Sequence, residues 1–228
     1  MIGALARVPA TRLGRTPRAW LPLLGWVLVG VAMAVMARSE RAPNGADHVL
    51  VGAFGALVVP LLAYAAVAAA VGGQSLIASV APMVTFGASP WRAASVTVAF
   101  AVLTAALPAA LLGALVAGVA HGVDDPPAAR DALVSAYAGA LGAAAYAGYF
   151  ALGASFGKRG GGRAVLLVLD WVLGSNRTAL ALITPRGHLR NLLGGTPPYG
   201  LGERSSALAL VAIAAACALV AIRRARRA

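Results

Sequence analysis

Residues 93 to 120 read AASVTVAFAVLTAALPAALLGALVAGVA, an apolar run without one ionisable side chain. About 20 helical residues cross a hydrocarbon core of about 30 Å. The run is long enough to span a bilayer with residues to spare, so it tilts, bends at Pro108 or extends past the interface. A chain built around such a segment has lipid as its solvent.

Composition agrees. Of 228 residues, 60% are hydrophobic and 11% charged, and the mean hydropathy is +0.81. A soluble domain is nearer half apolar and a quarter charged, so too few charges are present to cover a soluble core. The single cysteine, Cys217, lies in an apolar run and excludes an internal disulfide framework. It reads as a small buried hydrophobe. The net charge of +12 does not point to nucleic acid. The arginines flank apolar spans instead of lining one face with aromatics between them.

Six runs approach membrane length: residues 20–37, 49–72, 93–120, 132–156, one beginning near Ala164, and 205–222. An even number of spans puts both termini on one side. That side would hold twelve of the 19 Lys and Arg: Arg7, Arg12, Arg15, Arg18, Arg92, Lys158, Arg159, Arg163 and four in the tail from Arg223. The basic excess assigns it to the cytoplasm. Ala32-Met33-Ala34 resembles a signal-peptidase site, but its apolar run is too long for an ordinary signal peptide, and five remaining spans would break the charge pattern. The expectation is an all-α integral membrane protein of the bacterial inner membrane. It has a basic N-terminal segment (1–19), one six-helix domain (20–222) and a basic tail (223–228).

Between the second and third runs lies GQSLIASVAPMVTFGASPWRAAS, residues 73 to 95, with Arg92 as its one charge. Leu76, Ile77, Val80, Met83 and Val84 recur at helical spacing and form a stripe, with Ser75 and Ser79 off it. Pro82 bends this helix or delays its start to about Ser79. Gly87 reads as its stop, and Ser89-Pro90 as cap and first residue of the third span. The stripe needs cover. A lipid interface anchored by Trp91 and Arg92 is one reading, and a cytosolic protein partner is the other.

Asp170 is the only acid inside a predicted span. Its charge requires a partner, water or a function. Arg163 and Arg177 each lie two turns away on nearly its own face. Beyond it, GSNRTALALITPRGHLRNLLGGTPPYGLGE is too polar for one span and too apolar for a free loop, so it reads as re-entrant or interfacial. His48, His121 and His188 fall at predicted outer ends without metal-ligand spacing, which favours unconnected residues over a three-His site. Gly139, Gly142 and Gly148 suit close helix packing. The chain has no GxxxxGK[ST], HExxH or CxxC, so any ATP hydrolysis belongs to another polypeptide.

In layout the chain resembles the membrane subunit of ABC-2 type (type V) ABC transporters. LARVPATRLGRTPRAW matches the family's amphipathic N-terminal elbow, SLIASVAPMVTFGASP its cytoplasmic coupling helix, and ITPRGHLRNLLGG its broken outer segment. The coupling segment lacks the acidic residue that family members often carry there. The resemblance implies an export permease that pairs with a second copy or paralogue and two cytosolic ATPases, which hold ATP and Mg; this chain itself holds no cofactor. It implies ATPase coupling through Ser79, Met83, Val84, Phe86, Gly87, Ser89, Pro90, Trp91 and Arg92. Intramembrane polar roles would fall to Asp170, Asn176 and Arg177. A membrane scaffold without transport, and an enzyme using Asp170 with outer histidines, are the alternatives.

Overall fold

A computed structural model describes residues 2–15, 17–40, 45–121, 127–157, 159–175 and 179–226. All regular structure among them is helical. The helix α1 (Ile2–Arg15) precedes α2 (Pro17–Glu40), and the two are bent by 68°. After a short turn, α3 (Gly45–His48), comes a π-helix (Val49–Val58) that continues into α4 (Val59–Val71). Then follow α5 (Leu76–Thr85), α6 (Pro90–Ala120), α7 (Ala128–Ala154) and α8 (Gly162–Gly174). A 3₁₀ turn (Ala179–Ile183), α9 (Pro185–Leu192), a second 3₁₀ turn (Pro198–Gly200) and α10 (Glu203–Arg226) complete the chain.

Among the described residues three helical segments are long and apolar enough to cross a membrane: Val49–Thr85, Pro90–Ala120 and Glu203–Arg226. Counting the bent α1–α2 pair as one span makes four. The six expected spans are thus not all recovered by length and hydropathy, for two physical reasons. The 13 residues of α8 reach only about 20 Å, short of a hydrocarbon core of about 30 Å. The 27 residues of α7 are long enough, at about 40 Å, but Gly, Ala and Tyr dilute their hydropathy.

That dilution has a packing cause, because α7 is the central post. A Cβ on Gly139 would lie 2.6 Å from the Ala109 carbonyl of α6, and one on Gly148 2.7 Å from that of Ala214 on α10. At Gly142 it would meet Leu189 of α9. Each glycine therefore lets a different neighbour approach. Around this post α6 turns one row of leucines outward. On α6, Leu103, Leu107, Leu111 and Leu115 form an exposed row at four-residue spacing, while Ala101, Ala105 and Ala109 are buried. In water such a row would be an aggregation surface; against lipid it needs no cover.

The π-helix was not expected, since the sequence reads as one ordinary helix from about Val49 to Gly72. Wide turns of this kind are rare and recur at functional sites. This one ends at Val58, and Pro60 just beyond it has no N–H to offer a carbonyl of the preceding turn.

Candidate functional site

Asp170 is fully buried on α8, and two neighbouring helices, α7 and α9, converge on it. The Tyr146 hydroxyl of α7 donates to Oδ2 at 2.8 Å. The backbone N–H of Arg186 donates to Oδ1 at 3.1 Å, and Arg186 Nε approaches Oδ2 at 3.4 Å. Arg186 is the second residue of α9, whose first-turn N–H groups need acceptors. The Thr184 hydroxyl at the cap position donates instead to Ala181 O. Asp170 thus caps α9 from a different helix, where a carboxylate also meets the positive end of the helix dipole. The other end of the Arg186 fork reaches back to the π-helix, where Nη2 donates to Ala56 O at 2.5 Å. Ala56 lies in the turn just before Pro60, which has no N–H to give, and Arg186 supplies a donor to its carbonyl.

Of the two arginines that flank Asp170 at seven-residue spacing, Arg163 does not pair with it. Arg163, two turns away, turns to the Gly160 carbonyl at 3.1 Å and stands 5.8 Å from the Tyr64 ring centre. A partner close on the same helical face would need three- or four-residue spacing, and seven residues is too far. Asn176 and Arg177 lie outside the described residues. Arg186 was not singled out from the sequence, although the Thr184-Pro185 helix start marks its N–H as one that needs an acceptor.

A second buried polar chain pins α9 to α10. Asn191 Nδ2 donates to Ser206 Oγ at 2.8 Å and to Leu201 O at 2.9 Å. His188 Nε2 lies 2.9 Å from Leu182 O, which only accepts, so this nitrogen carries the proton. Nδ1 then accepts from the Ser206 hydroxyl at 3.4 Å. Every member is satisfied in one direction. The segment expected to be re-entrant or interfacial is thus folded against protein: Pro185, Gly187, His188, Leu189 and Asn191 are all buried. Among the described residues no three His, Cys, Asp or Glu side chains converge as a metal site would require.

At the other end of the bundle, α5 starts at Leu76 despite Pro82. Ser75 caps it, accepting from Ala78 N–H at 3.2 Å. Gly87 stops it with φ +88, a left-handed conformation that favours glycine. Ser89 Oγ accepts from Arg92 N–H at 3.3 Å and Pro90 opens α6, as their order predicts.

The apolar stripe of α5 does not wait for a partner. Leu76, Val80 and Met83 are buried in the protein's own core, and Ser79 is buried beside them with its hydroxyl on Leu76 O. Ser79 and Met83, both expected to couple to a partner, are thus buried in the chain's own core. The chain supplies the cover itself, because α6 and α10 both pack on α5. What α5 turns outward is its far end and the junction to α6. Phe86 is 91% exposed, Trp91 39%, and Gly87, Ser89 and Arg92 are exposed too. Val84 and Pro90 are half-buried.

Arg12 holds α5 in place. From α1 its Nη1 donates to Ala70 O at 3.1 Å, a carbonyl in the last turn of α4, and its Nη2 to Ser79 O at 2.9 Å. It lies across Gly72, which ends α4 with φ +66; a Cβ there would sit 3.5 Å from Arg12 Cδ. Desolvation lowers the guanidinium pKa from its ordinary value, yet an arginine stays charged in proteins. The basic elbow, the end of α4 and the short helix are thus one unit. Comparison with protein-family models, with curated proteins and with solved structures finds no match for this chain.

Proposed function

We propose that this protein is the membrane-spanning permease subunit of an ATP-driven ABC exporter. It pairs with a second permease and two separate ATPases, and both of its termini lie in the cytoplasm. The observation that carries the reading is the α5 unit. A short helix, capped at its start and stopped by Gly87, is clamped by Arg12 to the elbow and to the end of α4. It leads through Ser89-Pro90 directly into α6 and exposes Phe86 and Trp91 at the junction. A partner that grips Phe86 and Trp91 moves α6 and, through Arg12, α4 as rigid bodies. The two short helices α8 and α9, joined at Asp170, act in this reading as the broken element that closes the far end of the pathway. Six crossings then require α7, and α8 continued by α9, to be sheltered by protein where their own hydropathy falls short.

A scaffold without transport is favoured by one observation. Asp170 is sealed, with both oxygens bonded, so it does not line an open proton or substrate path. Co-purification separates the readings. The tagged chain, isolated from its native membrane, is expected to bring down an ABC ATPase. Phe86→Asp lies on a side chain that is 91% exposed, so it should leave folding intact and abolish capture. Absence of any ATPase from the wild-type complex defeats the permease reading. An ATPase that is captured but drives no transport in proteoliposomes supports the scaffold.

A further inference from the structure

The groove between α2 and α4 has the composition of a lipid site. It encloses about 600 Å³ and is lined by Trp26 of α2, by Leu61, Tyr64 and Ala68 of α4, and at its mouth by Gln74 and Arg12. Volumes of this order hold small-molecule ligands in other proteins. From Leu61 to Gly72 the groove follows α4 for about 16 Å, at 1.5 Å per residue, close to half a hydrocarbon core of about 30 Å. It is therefore one leaflet deep.

The charge at its mouth is uncompensated. Arg12 gives one N–H from each terminal nitrogen to Ala70 O and Ser79 O. Among the described residues the rest of its five-donor fork has no protein acceptor and no carboxylate pairs with it. Arg7 and Arg15 on the same helix are exposed and basic, and neither the first 39 residues nor residues 73–95 contain an acid. Arg163 is buried, its Nη1 without a hydrogen-bond partner among the described residues and its guanidinium 5.8 Å from the ring centre of Tyr64, which lines the groove. A cationic mouth on an apolar slot of one leaflet's depth fits an amphiphile with an anionic head and a hydrocarbon tail.

We propose that this groove binds an anionic phospholipid of the leaflet on the basic side of the protein. The headgroup phosphate meets the free N–H groups of Arg12, and one acyl chain lies against Trp26, Leu61 and Ala68. The site rests on the membrane orientation proposed above, but not on an ATPase. It is accordingly tested on the purified full-length chain alone, by native mass spectrometry after equilibration with palmitoyl-oleoyl phosphatidylglycerol or phosphatidylcholine. The wild type should retain one phosphatidylglycerol at least tenfold more tightly than phosphatidylcholine. Arg12→Gln should erase that preference. Ala68→Phe leaves every Arg12 bond in place and fills the slot, so it should lower retention of phosphatidylglycerol tenfold or more. Equal retention of the two lipids by the wild type overturns the site. So does unchanged retention in Ala68→Phe. Displacement of the lipid by millimolar inorganic phosphate would mean a bare anion site, and loss of a dimer in Ala68→Phe a protein-covered face; either overturns it too.

Discussion

Arg186 and Arg12 meet the same problem roughly 20 Å apart along one helix, and they solve it differently. Each reaches from a neighbouring helix to a backbone carbonyl that the Val49–Val71 segment leaves open: Ala56 O beside Pro60, and Ala70 O in the last turn of α4. Arg186 is also paired with a fully buried carboxylate, so its charge is cancelled inside the fold. Arg12 takes a second carbonyl from α5 and keeps its charge. A cation neutralised within the protein is a lock. A cation held only by carbonyls is a receptor. The difference assigns structural work to the end with Asp170 and binding work to the end with Arg12.

The largest expected effect tests the lock. Asp170→Asn keeps the shape but leaves Arg186 charged and unmatched in a buried site. Removing one member of such a pair costs about 3–5 kcal/mol, so thermal unfolding in detergent should fall sharply or the variant should not accumulate. The double variant Asp170→Asn with Arg186→Met removes both charges and should recover a large part of the loss. A single Asp170→Asn variant as stable as the wild type would mean that the carboxylate is not locked, and the contrast between the two arginines would dissolve.

Next in size is Ser206→Ala. It removes the donor to His188 Nδ1 and an acceptor of Asn191, both in buried surroundings. Unsatisfied buried groups cost about 1–3 kcal/mol. Hydrogen exchange is the sensitive measurement, because the loss should concentrate in residues 179–202 and leave α1 and α5 unchanged. A loss spread evenly over the molecule would contradict a second, local lock on α9.

Much of this architecture was legible in the sequence, and what was not has a common cause. The capping of α5 and α6 follows from local chemistry, in which Ser75, Gly87, Ser89 and Pro90 act on their own chain neighbours. Solvent-facing and lipid-facing sides did not follow. The stripe of Leu76, Val80 and Met83 has a helical period whether its cover is lipid, a partner or the protein itself. Only the packing of α6 and α10 decides among these. The partner of Asp170 was hidden for the same reason. Arg186 is 16 residues away on another helix, whereas helical periodicity pointed along α8 to Arg163. Hydropathy is weakest where α7 trades bulk for glycine, because a central post in a helix bundle needs close backbones more than apolar bulk. The π-helix carries no sequence mark beyond Pro60.

The smallest expected effect separates the two jobs of Arg12. Lysine keeps the positive charge but has one nitrogen in place of a planar fork, so it cannot span Ala70 O and Ser79 O in the same way. Arg12→Lys should therefore cost about one hydrogen bond, near 1 kcal/mol. Limited proteolysis should show it as faster cleavage near Gly72–Gln74 and in α1. Selectivity for phosphatidylglycerol should stay within a few-fold of wild type, since an ammonium remains at the mouth of the groove. If lysine instead abolishes lipid selectivity while α1 stays protected, the fork is shaped for the headgroup and the carbonyl bonds are incidental. If α1 loosens and selectivity survives, clamp and receptor are separable functions of one side chain, as the contrast with the fully neutralised Arg186 requires.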